Sequence, residues 1–185
     1  MKNAISVAAL SEFAREVSAD PGQGLLRAGV ALDWQSATRA RVSALPMQLG
    51  DQRLSRAQQW MIDEPRPLGG ANLAANPQEQ LLAALGGCLM VGFVFAASVR
   101  GVQLETLSIE VEGQLDLGGF LGVHPEAPVR FQRIDYRVRV RADASAEVLE
   151  AMRIQAEQRS PNAQTLGAAV PLEGALEVLA DGLLD

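Results

Sequence analysis

Cys88 is the single cysteine of the chain, and it lies inside a strongly apolar segment. The pair Asn76-Pro77 predicts where a helix through this segment begins. An asparagine side chain can accept hydrogen bonds from the first free backbone N–H groups, and a proline needs no N–H at the first helical position. A thiol in such a helix has two interpretations. It is either a reactive group or a small apolar side chain that fills a core.

The helix that carries the thiol has no charged side chain from Leu81 to Val99. An element that is apolar on all sides must be buried in a protein core or in lipid. Its length nearly matches a hydrocarbon layer of about 30 Å. However, glycine and alanine dilute its hydrophobicity, and no aromatic residues mark its ends. We therefore predict a core helix packed closely against another backbone, and no membrane association.

The composition excludes several classes of partner and site. A net charge of −6 and a pI near 4.9 argue against nucleic acid, which is bound through clustered Lys and Arg. One cysteine cannot form an intrachain disulfide, and the apolar run before Ser11 is too short for a secretory signal, so we predict a cytoplasmic protein. The only histidine, His124, has no metal ligands at suitable spacing. We expect no metal and no cofactor.

The first part of the chain predicts a separate helix followed by a set of strands. Apolar residues recur at helical spacing over residues 4–18, and Asp20-Pro21-Gly22 ends this pattern with a turn. We therefore divide the chain into an amino-terminal helix and turn, residues 1–22, and a main domain, residues 23–185. Alternating apolar and polar residues predict strands over residues 30–34, 38–45 and 57–63.

The part that follows the apolar helix predicts two long strands, a second helix and a closing strand. Alternation over residues 107–115 and 134–140 predicts two paired strands, joined by a connection at residues 116–128. We expect Glu110 and Glu112 to face Arg137 and Arg139 across this pair. Asp143 or Ser145 can cap the second helix, which must end before Ser160-Pro161. The last strand is expected over residues 172–178.

Several short motifs and this order of elements resemble one known family. The motifs are Asp63-Glu64-Pro65, Leu68-Gly69-Gly70, Asn76-Pro77, Ala84-Leu85-Gly86-Gly87-Cys88, Arg100-Gly101, Leu115-Asp116-Leu117 and Ser160-Pro161. Together they resemble the OsmC/Ohr superfamily, named for osmotically inducible and organic hydroperoxide resistance proteins. The resemblance spans residues 25–180. It implies an α+β fold and an intertwined homodimer, in which antiparallel sheets from both chains wrap two long central helices and thiol sites lie at the subunit interface.

The resemblance also implies a role for the thiol. In the peroxidase members, a cysteine on the central helix reduces hydroperoxides, and a second cysteine just before the later proline resolves it as a disulfide. The first position is Cys88 here, but the second is Ser160. A serine hydroxyl cannot form a disulfide, so an oxidised Cys88 would need an external thiol reductant.

The residues that activate the family's thiol are only partly present. A glutamate just after the Asn-Pro pair is replaced by Gln78, and the adjacent Glu79 falls on the face of the helix opposite the thiol at about 100° per residue. The thiol lies three turns past the helix start, beyond the reach of the helix dipole, so activation of the thiol would need a cation nearby. Arg39 and Arg41, which share one face of a predicted strand, are the candidates for the family's arginine.

Two functions from different classes remain open at this point. The first is a one-cysteine thiol peroxidase that reduces organic hydroperoxides in the oxidative stress response, with Cys88 as the nucleophile, an arginine beside the thiolate and Gln78 orienting the substrate. The alternative is a non-catalytic dimer of the same fold that binds an apolar small molecule or a protein partner, with Cys88 as packing.

Overall fold

The computed structural model describes residues 2–168 and 170–178. One helix is followed by six strands, then by a long helix, two further strands with a short helix between them and two more helices, and every strand in these residues pairs antiparallel. In chain order the elements are α1 (Val7–Ala19), β1 (Leu26–Arg27), β2 (Val30–Ser36), β3 (Arg39–Ala44), β4 (Met47–Leu49), β5 (Gln52–Leu54), β6 (Gln59–Ile62), α2 (Pro77–Val99), β7 (Leu104–Gln114), α3 (Leu117–Phe120), β8 (Arg133–Ala142), α4 (Ala146–Gln158) and α5 (Pro161–Gly167).

The amino-terminal helix is confirmed and is tied to the distal end of the apolar helix. Ser6 caps α1, whose side chains are all at least partly exposed. The Asn3 amide donates to the Val102 carbonyl at 2.9 Å and accepts from the Leu104 N–H at 2.9 Å. It also donates to Ser98 Oγ at 3.2 Å. These bonds fix the start of the chain beside the turn that leads from α2 into β7.

The strands of the first half form two separate three-stranded sheets. The predicted strands over residues 30–34, 38–45 and 57–63 are confirmed as β2, β3 and β6, which lie in the order β2-β3-β6. A smaller sheet, β1-β4-β5, was not predicted, because its strands have only two or three residues and so show no alternation.

Helix α2 begins at Pro77 as predicted and has one packed side and one open side. It packs against β7, α4 and α5, and Leu89, Phe93 and Ala97 are buried. In a single chain α2 is not buried on all sides, because Val91 is 53% exposed and Val99 is 64% exposed. Burial of this open side by a second copy stays a prediction. Within the described residues, α2 is the one helix long and apolar enough to cross a membrane.

The two long strands pair as predicted, but their charges match only in part. Glu110 lies opposite Arg137, and its carboxylate forms an ion pair with the diagonal neighbour Arg139. Glu112 lies opposite Asp135 instead of an arginine, so the second predicted charge pair is wrong. The reason is the register, which places Arg139 opposite Ser108.

The second helix is confirmed as α4, and Ser145 is its cap. It ends at Gln158, before Ser160-Pro161, and Ser160 then caps the short helix α5, which was not predicted. The predicted last strand is wrong, because residues 172–178 have no regular structure. Their apolar and polar residues alternate, but no strand in the described residues pairs with them.

The core lies between the second half of α2, helix α4 and the inner face of the β7–β8 pair. Phe93, Ala96, Ala97, Met152 and Ala156 form its centre. Inward residues of both long strands pack against this group, including Leu107 and Val138. The helix that carries the thiol is therefore held rigidly along one side, which gives Cys88 a defined position.

Candidate functional site

The start of α2 is fixed by reciprocal hydrogen bonds between two side chains. The Asn76 carbonyl oxygen Oδ1 accepts from the Glu79 N–H at 2.8 Å, and the Glu79 carboxylate accepts from the Asn76 N–H at 2.8 Å. This arrangement is a capping box, in which two free donors of the helix start are satisfied. Within one chain, Glu79 is therefore part of the helix cap and lies on a different face of α2 from Cys88, as its spacing predicted.

Cys88 is half-buried on α2, between the residues of this helix that contact α4 and α5. Two contacts fix how these helices run past each other. A side chain built on Gly92 would meet the Ala156 backbone at 3.3 Å, and the Asn162 amide donates to the Ala84 carbonyl at 2.7 Å. The chain through α4 and α5 thus runs antiparallel to α2. In sequence, the two contacts flank Cys88 on α2 and Ser160 on the opposing chain segment.

Ser160 is buried, with 2% of its surface exposed. Its hydroxyl accepts from the Ala163 N–H at 3.1 Å and so caps α5. In sequence, Ser160 lies between Ala156 and Asn162, the two residues that contact α2. That it occupies the family's second cysteine position stays an expectation from the resemblance.

The two predicted arginines are held within the β2–β3–β6 sheet. Arg41 forms an ion pair with Asp33 at 3.6 Å, and Arg39 donates to the Ser36 hydroxyl at 3.3 Å. In residues 2–168 and 170–178 no ion pair or hydrogen bond joins either guanidinium to α2. Within a single chain the structure does not bring them to Cys88, and their role beside the thiol stays a prediction.

A largely apolar cavity of about 820 Å³ lies on the neighbouring face of α2. Gln78 is one of its lining residues. Cys88 itself is not among the lining residues. The apolar walls come from α2, from α3 with the connection that follows it, from β8 and from α5, and include Leu81, Leu85, Leu89, Leu117, Phe120, Phe131, Ile134 and Leu166.

A polar network borders one end of this cavity, whose lining includes Tyr136 and Glu157. The Tyr136 hydroxyl donates to the Glu157 carboxylate at 2.5 Å, and Arg153 donates to both of these groups. Burial raises the pKa of Tyr136 to about 12, and the hydrogen bond to Glu157 adds to this rise. The same hydrogen bond outweighs burial at Glu157 and lowers the pKa of that carboxyl. This end of the cavity therefore offers a neutral hydroxyl beside a charged pair.

Sequence reasoning did not find this network, although part of its pattern was visible. Arg153 and Glu157 are spaced for an i,i+4 pair on one helix face. Tyr136 is on the inward face of its strand in the predicted alternation. What joins them is the docking of α4 onto β8, which no local pattern predicts.

The motif Asp63-Glu64-Pro65 shapes the loop that leads into α2. Burial by itself raises the pKa of the Asp63 carboxyl, but three backbone N–H groups and the Thr38 hydroxyl bind it and bring the pKa below its ordinary value. These bonds run to Glu64, Ala71 and Leu73. Burial, together with the charges of Asp63 and Glu79, raises the pKa of the Glu64 carboxyl.

Comparison with known proteins decides the family. The family model described as OsmC-like protein matches residues 69–174, which is more than half of the chain. The chain belongs to the OsmC-like protein family. The match includes α2 with Cys88, the β7–β8 pair, α4 and Ser160, and so covers the cavity described above. A search of curated proteins found no match.

Solved structures of this family are similar in fold and distant in sequence. An OsmC-like protein of unknown function from Vibrio cholerae has a TM-score of 0.58 at 14% identity, covering 75% of this chain and 92% of its own. An OsmC like protein from Mycoplasma pneumoniae has a TM-score of 0.54 at 16% identity, covering 77% of this chain and 87% of its own. At these identities the likeness shows the fold alone.

Proposed function

We propose that this OsmC-like protein is a thiol-dependent peroxidase that reduces organic hydroperoxides and uses Cys88 as its one redox thiol. The observation that carries the proposal is that Cys88 is half-buried on the central helix, between the residues of that helix that contact α4 and α5. The resemblance implies that Ser160 stands at the second cysteine position of the two-cysteine enzymes. Membership of a family that includes hydroperoxide resistance proteins supports it.

The proposed reaction begins with attack of the Cys88 thiolate on the terminal oxygen of the hydroperoxide. A sulfur–oxygen bond forms, the oxygen–oxygen bond breaks, and the alcohol leaves after taking up a proton. Cys88 becomes a sulfenic acid. An external thiol then condenses with it to a mixed disulfide and releases water, and a second external thiol frees Cys88 and leaves as the disulfide.

A homodimer is part of this proposal, since within a single chain Arg39 and Arg41 are bound to partners in their own sheet instead of to α2. The open side of α2 and the β2–β3–β6 sheet both expose apolar residues. A second copy that covered α2 with its sheet would place Arg39 and Arg41 of one subunit over the helix of the other. An arginine beside Cys88 would favour the thiolate over the thiol.

The decisive experiment measures the loss of cumene hydroperoxide in the presence of dithiothreitol. We expect turnover by the wild-type protein and none above background by Cys88→Ser. Intact mass after treatment with peroxide alone should show one or more added oxygens in the wild type only. Equal peroxide loss by both proteins would exclude the peroxidase.

One observation favours a second candidate function. The apolar cavity of about 820 Å³ is lined by residues other than Cys88, and its size is that of a small-molecule site. A non-catalytic dimer that binds an apolar molecule would use this cavity and leave Cys88 as packing. Binding of an apolar ligand with unchanged affinity in Cys88→Ser, together with no peroxide loss in the wild type, would favour this alternative.

A further inference from the structure

The side chain of Asn162, at the start of α5, reaches across to the helix that carries the thiol. Its amide donates to the Ala84 carbonyl at 2.7 Å. In an α-helix the N–H of each residue donates to the carbonyl four positions earlier, so the same carbonyl is the acceptor for the Cys88 N–H. A carbonyl oxygen has two lone pairs and can accept both bonds. The Asn162 amide nitrogen therefore lies within about 6 Å of the Cys88 backbone nitrogen.

A second contact holds the next turn of α2 against the preceding helix, α4. Gly92 lies four residues after Cys88 and therefore on the same face of α2. A side chain built on Gly92 would meet the Ala156 backbone at 3.3 Å. The half-buried Cys88 is therefore one turn away from a close contact with α4 and beside a hydrogen bond from α5.

Asn162 is also held in place from its own side. Ser160 caps α5, and its N–H donates to the Glu157 carbonyl at 3.2 Å. The Glu157 carboxylate in turn accepts from the Tyr136 hydroxyl and from Arg153. A path of hydrogen bonds thus runs from β8 through the end of α4 to the turn of α2 that carries the thiol.

We propose that Asn162 is a positioning residue for the Cys88 thiol, which clamps the start of α5 to the thiol turn of α2 and keeps an uncharged amide close to the sulfur. The clamp limits how far this part of the chain opens around the thiol. The clamp itself does not depend on peroxide chemistry. Its consequence for turnover, that a hydroperoxide meets the Asn162 side chain as it approaches Cys88, rests on the proposed peroxidase function.

Alkylation of Cys88 by iodoacetamide in the folded full-length protein tests the clamp without peroxide. Asn162→Ala removes the bond to the Ala84 carbonyl, and we expect it to be labelled at least fivefold faster than the wild type. The control is Gln164→Ala, which removes a hydrogen bond from α5 to the Glu157 carbonyl instead of to α2. Its labelling rate should stay within twofold of the wild type. Labelling of Asn162→Ala at the wild-type rate, or no labelling of it at all, would overturn the proposal.

A charge placed at position 162 separates proximity to the thiol from a general loosening of the fold. Iodoacetate is anionic, iodoacetamide is neutral, and both react with the thiolate, so the ratio of their rates reports the charge near the sulfur. Asn162→Asp should lower this ratio at least threefold at low ionic strength, because the new carboxylate repels the anion.

Gln164→Glu is the matched control, since it adds the same charge to the same helix, and it should lower the ratio less than half as much. An unchanged ratio in Asn162→Asp, or equal effects of the two acidic variants, would overturn the proposal. Neither rate involves peroxide, so failure of the peroxidase would leave both results standing, and failure of the clamp would leave turnover by Cys88 untouched.

Discussion

A single buried carboxylate organises the loop before the thiol helix. Asp63 is 2% exposed and accepts four hydrogen bonds, three of them from backbone N–H groups. Its pKa in the folded protein lies below the ordinary value of 3.8. A lowered pKa means that the unfolded chain binds more protons than the folded one as the pH falls. The contribution of Asp63 to stability is therefore present above pH 3.8 and is lost as the pH falls toward the folded pKa.

The corresponding prediction compares Asp63→Asn with the wild type in urea unfolding at pH 6 and at pH 3. The variant should be less stable at pH 6, because an amide oxygen binds these N–H groups more weakly than a carboxylate. The difference in unfolding free energy between the two proteins should be smaller at pH 3. Asp33→Asn, which removes an exposed partner of Arg41, should change stability by less than about 1 kcal/mol. A difference for Asp63→Asn that is the same at both pH values would contradict the prediction.

The pairing of Cys88 with position 160 gives a second prediction at this scale. Ser160→Cys should form an intrachain disulfide with Cys88 after one equivalent of peroxide, because the flanking contacts hold this part of the two helices together. Free thiols counted with Ellman's reagent should fall from two to none. Loss of the Ser160 cap should cost about 1 kcal/mol of stability in the reduced form.

The matched control is Ser145→Cys, which alters the cap of α4 instead. After peroxide, the thiol at position 145 should stay free while Cys88 is oxidised, and no intrachain disulfide should form. Retention of both thiols in Ser160→Cys after peroxide, or equal disulfide formation in the two variants, would count against the juxtaposition.

The residue types at the site could be predicted to different extents. The cap at Asn76 follows from the sequence and the structure confirms it, and the placement of Glu79 away from Cys88 follows from helix geometry. The network of Tyr136, Arg153 and Glu157 could not be predicted, since it needs a strand and a helix that are separate in sequence to be docked. The placement of Arg39 and Arg41 beside the thiol stays a prediction for the same reason.

At the scale of elements, Asn3 holds the amino-terminal helix to the rest of the molecule. Its side chain bonds to the turn between α2 and β7, and its backbone has a φ of 50°. Asn3→Ala should cost about 1–3 kcal/mol, because each lost hydrogen bond contributes about 1 kcal/mol. Hydrogen exchange in residues 2–19 should become faster, with the centre of α2 unchanged.

Asn72→Ala is the control for this prediction. Asn72 has a φ of 59° and is exposed, so its replacement carries the backbone cost of a left-handed conformation without loss of a tether. If both alanine variants are destabilised equally, the side-chain bonds of Asn3 contribute nothing. The prediction of a separate segment at residues 1–22 would then gain support.

Element predictions were accurate where a pattern was long and repeated. The alternation in β7 and β8 and the apolar run in α2 extend over many residues, so a chance match over a few residues cannot account for them. The strands of β1, β4 and β5 and the turn of α3 are too short for such a pattern. Residues 172–178 show that alternation alone is insufficient, since a strand also needs a free edge to pair with.

At the scale of the whole molecule, one chain leaves much apolar surface open. The open side of α2 continues through Leu81, Val91, Phe95 and Val99, and the β2–β3–β6 sheet exposes Val30, Leu32 and Trp34. Soluble monomers rarely expose apolar patches of this extent. An all-apolar helix predicts that the helix is buried, but not whether its own chain or a second chain buries it. In a single chain the open side of α2 is exposed.

The proposed homodimer can be tested by changing residues on this surface. Sedimentation should give the wild type a mass near twice 19.7 kDa. Val91→Glu places a charge on the open side of α2, where a partner would desolvate it, and should weaken dimerisation by at least 100-fold, or about 3 kcal/mol. Val123→Glu alters another exposed valine, in the connection after α3, and should stay dimeric. The prediction fails if the wild type sediments at 19.7 kDa, or if Val91→Glu is as dimeric as Val123→Glu. Either result would mean that α2 does not form the dimer interface and that Arg39 and Arg41 do not reach Cys88 across it.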